Sequence, residues 1–290
     1  LSTSFVPGET VNPPPGFFFD HGTHVGGTVG AADNAFGVIG VASQAELVGV
    51  QVLSRATGSG SFDQVIAGIV YATDIDSDVI NMSLGARIVK SGDPDDPEPY
   101  TAKEAAELKN AIGRATTYAH QNGTTVIASA GNDAEDKDHN GNAIHLPSDA
   151  PHVLSIAATG PLGWALDPTT DLDVPAFYTN FGQSAIDFAA PGGNVDFSLR
   201  QGPPATWPVC AVAGVIQQCW VFDLVFSTIP GGWAWAAGTS MAAPHASGVA
   251  AIIIGQNGGS MNPSQVASAL RASADDLGKS GNDDFYGAGR

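Results

Sequence analysis

ELVGVQVLSRATGSGSFDQVIAGIVYATDIDSDVINMSLG, residues 46–85, decides the fold class. Its first eight residues are mostly apolar and rich in valine and leucine, which predicts a buried strand over 46–53. A glycine- and serine-rich loop follows. From Ser61 the apolar residues recur every three or four positions, predicting a helix over 61–74. DVINMSLG (78–85) returns to a near-continuous apolar run, a second buried strand. Strand, helix and strand in this order form a βαβ unit, whose parallel strands are covered on both faces.

The same alternation continues outward. AKEAAELKNAIGRATTYAHQNG (102–123) reads as a long amphipathic helix stopped by Gly123, and it runs directly into the strand TTVIASAG (124–131). HVLSIAAT and AIDFAAPG add two strands. A helix from about Ser240 and a last one, with Asn262 as cap and Pro263 in its first turn, complete the pattern. The expected fold is α/β, a mainly parallel sheet with helices on both faces, in a single domain spanning 1–290 without repeat or linker. In such sheets, sites form at the carboxyl ends of strands.

Composition narrows the function classes. With 11 Lys plus Arg against 29 Asp plus Glu, the net charge of −18 repels phosphate backbones and anionic membranes, so neither nucleic acid nor membrane is an expected partner. The 43% hydrophobic content argues against disorder and makes the acidity a solvated surface. No charged residue occurs between Leu224 and Leu270, yet polar residues and Pro interrupt the apolar run around VAAIIIG (249–255) well short of the roughly 20 residues a spanning helix needs. The two cysteines, Cys210 and Cys219, predict a local disulfide and an oxidising compartment; reduced loop thiols are the alternative.

Three short motifs fall near predicted strand ends: HGTHVGGTVG (21–30), SAGND (129–133) and GTSMAAPHASG (238–248). Taken alone, Ser240 at a helix start is open between an N-cap and a nucleophile. Asn132 is open between a turn residue and a hydrogen-bond donor. His21 and His24 share a helix face, but no H-E-x-x-H pattern or Cys/His cluster completes a metal site. Ala242 and the absence of a later, well-separated histidine argue against an α/β-hydrolase elbow.

Together, in this order, the three motifs resemble the subtilisin-like serine proteases, the subtilases, over nearly the whole chain. The resemblance implies a serine endopeptidase of three-layer α/β fold, with Ser240 as nucleophile, His21 as general base and Asn132 with the Ser240 N–H as oxyanion donors. His24 and His245 are then structural. Gly58-Ser59-Gly60 and Ser83-Leu84-Gly85 match segments that pair with the substrate main chain as added strands. Ser83–Gly85 with Ala128, Ser129, Ala130 and Gly131 would wall a roomy apolar pocket for a large side chain before the scissile bond, with His145 and Leu146 near its far end. Leu146-Pro147 matches a cis-proline position. ADNAFGV (32–38) resembles a calcium loop, with the Asn34 side chain and the main-chain oxygens of Ala32, Phe36 and Val38 as ligands. Catalysis would need no cofactor; Ca²⁺ would be structural. Protein or peptide substrates, a propeptide before maturation, secretion and a monomeric state are further implications.

The resemblance leaves one member unassigned. SFVPGETVNP (4–13) matches the loop between the Asp-bearing strand and the His-bearing helix, so the triad Asp is expected to lie outside the chain, and DDFYGAGR (283–290) leads toward one more helix expected beyond it. Asp20 is expected to cap the first helix rather than replace that acid. A catalytically impaired, peptide-binding relative is the alternative function; a metal-dependent hydrolase lacks its ligand clusters.

Overall fold

A computed structural model describes residues 1–14, 16–92 and 99–290. In chain order the elements are β1 (Thr3–Ser4), α1 (His21–Gly30), β2 (Val50–Gln51), α2 (Phe62–Asp74), β3 (Val79–Met82), β4 (Ala86–Val89), α3 (Ala102–Gln121), β5 (Thr125–Ser129), β6 (Ala143–Leu146), β7 (Val153–Thr159) and β8 (Phe188–Pro191). The hairpin β9 (Val209–Val212) and β10 (Val215–Gln218), the hairpin β11 (Val225–Ile229) and β12 (Gly232–Ala236), then α4 (Thr239–Gln256) and α5 (Pro263–Ser273) follow.

β5 shows why the centre is a parallel sheet. All five of its residues are buried, as a strand covered on both faces requires. β3, β5, β7 and β8 form that sheet in that order, all parallel, with Ile80 opposite Val126, Ala128 opposite Ser155 and Ile156 opposite Phe188. Successive side chains leave opposite faces. Val126 and Ala128 therefore enter one core, with Ile69 of α2 and Ile112 and Ala115 of α3. Ile127 enters the other, with Ala242, Ala246 and Ile254 of α4 and Val266 and Leu270 of α5. This is the expected three-layer α/β arrangement.

Helix ends follow the sequence signals. Thr101 and Glu104 close a capping box on α3, Gly123 takes a left-handed φ of 91° just beyond its end, and Asn262 caps α5 with Pro263 inside the first turn. Leu146-Pro147 is cis. Cys210 and Cys219 are disulfide-bonded across the base of the β9–β10 hairpin.

One element is corrected. The strand expected over 46–53 is only Val50–Gln51, and of the expected span only Val52 is buried, while Leu47 is exposed. Its partner is the two-residue β1, with Thr3 opposite Val50, and a ladder cannot outrun the strand it pairs with. Apolar content promised a full strand that the pairing does not supply.

Candidate active site

The first turn of α4 brings the motifs together. Thr239, fully buried, donates its N–H to Asn132 Oδ1 at 2.9 Å and its hydroxyl to the same oxygen at 2.8 Å, while its Oγ1 accepts the Gly131 N–H at 3.2 Å. With Oδ1 so occupied, the Asn132 amide has one orientation, and its Nδ2 donates to no described residue. A methyl group on Gly238 would sit 3.5 Å from Ser240 N and 3.6 Å from Asn132 Nδ2. Two N–H donors therefore border one space that glycine keeps open. Gly131 is needed for a different reason: its φ is 108°, and a side chain there would lie 2.2 Å from Asn180 Nδ2. Asn180, itself buried, donates that Nδ2 to Ala130 O and accepts the Asp133 and Glu135 N–H groups, which fixes the turn after β5.

Pro244 sits inside α4 and has no N–H for the carbonyl four residues earlier, which is that of Ser240. Ser83 Oγ fills the gap, donating to Ser240 O at 2.7 Å. Asn81 Nδ2 in turn donates to Ser83 Oγ at 3.0 Å, and Ser247 Oγ donates to Asn81 Oδ1 at 2.9 Å. A closed polar relay thus joins the end of β3 to α4 and sets the height of the serine turn. The Ser240 hydroxyl rests on Ser83 O through a long hydrogen bond of 3.4 Å. Neither role was read from the sequence: Thr239 works through Asn132, 107 residues away, and Asn81 reaches α4 through Ser247, 166 residues away.

His21 opens α1, which packs on α4. Its ring hydrogen-bonds no described residue, so the structure does not show it joined to Ser240. Surrounding protein, then His24, hold its pKa below the ordinary imidazole value, with Asp20 opposing. Asp20 is the cap expected: Oδ1 accepts the Thr23 N–H at 2.8 Å and its hydroxyl at 2.9 Å, and Oδ2 accepts Arg55 Nε at 3.1 Å. Burial pushes the Asp20 carboxyl up, but the Thr23 and Arg55 bonds outweigh it and the net direction is down. Both oxygens are committed away from His21. His24 is fully buried with Nε2 3.0 Å from Ala234 O, and His245 Nδ1 is 2.8 Å from Met241 O. One ring nitrogen of each is thus engaged by a backbone carbonyl.

Of the expected substrate segments, Ser83–Gly85 follows β3 directly, and Gly85 lies so close to Leu146 that a side chain would meet its carbonyl at 3.1 Å. Gly58, Ser59 and Gly60 are exposed; Ser59 O accepts Ser54 N–H, whereas Gly60 bonds no described residue through its main chain. Ala128 and Ala130 are fully buried. Beyond them stands a cluster that the sequence reading did not anticipate: His145 Nε2 lies 3.0 Å from Glu135 Oε2 and 3.4 Å from Asp133 Oδ2. His145, expected near the far end of that pocket, thus stands against two acids. In the 32–38 loop, Asn34 Oδ1 accepts the Phe36 N–H at 3.2 Å.

Residues 7–289 match the Subtilase family. Subtilisin NAT of Bacillus subtilis subsp. natto is 32% identical over 287 residues, covering 99% of this chain and 57% of that protein. Subtilisin Savinase of Lederbergia lenta is 31% identical, covering 99% of this chain and 79% of that protein. A lanthipeptide protease of known crystal structure superposes with a TM-score of 0.74 at 27% identity, covering 99% of this chain and 78% of that one. This chain thus spans little more than half the length of the first of these relatives.

Proposed function

This chain belongs to the subtilase family, and from that premise we propose that it serves peptide-bond hydrolysis as a serine endopeptidase. The observation that carries the reading is the space bordered by both Ser240 N–H and Asn132 Nδ2 at the start of α4. Ser240 Oγ attacks the substrate carbonyl carbon as His21 takes its proton, and the oxygen that gains negative charge enters that space. His21 returns the proton to the departing amine, leaving an acyl-serine that water then cleaves by the same steps in reverse order. Because both Asp20 oxygens are engaged elsewhere, we assign the acid that orients His21 to a group outside residues 1–290.

Substrate main chain is proposed to pair with Ser83–Gly85 and Gly58–Gly60. Ser83, Leu84 and Gly85 with Ala128, Ser129, Ala130 and Gly131 favour a large apolar side chain before the scissile bond, its depth limited by Asp133, Glu135 and His145. A structural Ca²⁺ is proposed for the 32–38 loop. The carbonyl oxygens of Ala32, Phe36 and Val38 accept no hydrogen bond among the described residues, and with Asn34 they form an all-oxygen set suited to that ion. It would brace the loop and take no part in the reaction. The disulfide supports secretion into an oxidising compartment; a propeptide and a monomeric state rest on the family resemblance alone.

A sulfonyl fluoride tests the nucleophile: it should label Ser240, and Ser240→Ala should abolish labelling and peptide hydrolysis together. Labelling elsewhere, with hydrolysis retained in the alanine variant, would sink the assignment. A second reading, a peptide-binding relative with impaired catalysis, is favoured by the absence of any described carboxylate on His21. It predicts substrate binding without labelling.

A further inference from the structure

The His145 side chain points between two acids without satisfying itself. The residue is 6% exposed, and its Nε2 makes no hydrogen bond although Glu135 Oε2 is 3.0 Å away and Asp133 Oδ2 is 3.4 Å away. A protonated Nε2 at those distances would be expected to donate; an unprotonated one turns its lone pair toward carboxylate oxygens and is repelled. Either way, a buried polar atom lacks what its surroundings are shaped to hold.

One ligand atom from each of the three residues lies within 4.8 Å of the others. Tetrahedral zinc, with bonds of about 2.0–2.2 Å, sets its ligand atoms about 3.4 Å apart, and both separations from Nε2 are close to that. We propose that Asp133, Glu135 and His145 bind a divalent first-row transition ion, with Zn²⁺ as the reference case. An imidazole nitrogen beside two carboxylates selects such an ion over Ca²⁺. Charge permits it. Arg87 pairs with both Glu135 oxygens, at 3.0 and 3.3 Å, and Lys137 with Asp149 at 2.6 Å. Counted with Asp133, these groups leave, among the described residues, an excess of one negative charge around a neutral imidazole. Arg87 would keep Glu135 Oε1 while the ion takes Oε2. Asp133, whose side chain is 45% exposed, provides the way in. The bound ion would tie the turn after Asn132 to β6.

The test uses the whole chain with Ca²⁺ in excess, so that the 32–38 loop does not report. Zn²⁺ is titrated against a chromophoric chelator, and Co²⁺ is followed by its visible absorption. One equivalent should bind, with a tetrahedral Co²⁺ spectrum. His145→Gln, Glu135→Gln and Asp133→Asn should each weaken binding by about 100-fold or more. Asp133→Asn, at the most exposed ligand, keeps the test open if a buried variant fails to fold. Failure of the wild-type chain to bind Zn²⁺ would overturn the proposal, and so would binding that Asp133→Asn and His145→Gln leave unchanged.

Discussion

Asn132 shows how a single amide acquires a direction. Its Oδ1 is held twice by Thr239, so that Nδ2 borders the space next to Ser240. Thr239→Val keeps the shape but deletes the hydroxyl, leaving the amide freer to rotate. Loss of an oxyanion-hole asparagine in a subtilisin lowers turnover about 10²–10³-fold. Thr239→Val should lose part of that factor in kcat with KM little changed; a normal kcat would show that the Thr239 N–H alone suffices. His21 offers a second measurement. Its pKa is depressed by surrounding protein and by His24, so an NMR titration of the 290-residue chain should give a midpoint below 6.5. A carboxylate docked on Nδ1 would raise it. Asn132 and His21 were legible because each sits in a short local motif. Thr239 was not, since its role depends on a partner 107 residues distant.

At the scale of the element, α4 carries its own defect and its repair. Pro244 strips the Ser240 carbonyl of a helical donor, and Ser83 replaces it across the sheet. Ser83→Ala should destabilise by about 1–3 kcal/mol by leaving that carbonyl unsatisfied. In that background, Pro244→Ala supplies an N–H within the helix and should recover a large part of the loss. Denaturant unfolding of the two single variants and the double variant measures this coupling; strict additivity would refute it. The helices and the central strands were readable because their periodicity and burial are properties of the segments themselves. β2 was over-read and the β11–β12 hairpin passed unnoticed for one shared reason: a ladder depends on a second segment, and apolar content says nothing of which one arrives. The Pro230-Gly231 turn was the available signal for that hairpin.

Across the whole molecule, buried imidazoles set a pH dependence. Burial first of all depresses the pKa of both His24 and His245 from 6.5, despite opposing backbone hydrogen bonds. The unfolded chain then binds more protons than the native one below 6.5, so this stability is complete above that pH and is lost as pH falls through the folded values. Asp187 and Asp223 oppose the trend at lower pH, since burial raises both. The melting temperature should therefore fall between about pH 7.5 and about pH 5.5, as calorimetry can check; a rise over that interval would contradict the assignment. The disulfide at the base of the β9–β10 hairpin has a consequence of another kind. Ile216, between the two cysteines, is exposed on that hairpin, which opens it to proteolytic cutting. A nick between Cys210 and Cys219 opens the chain without parting it, because the sulfur bridge still joins the two pieces. Such a molecule would migrate as one band until reduced and as two afterwards, having outlived its own digestion.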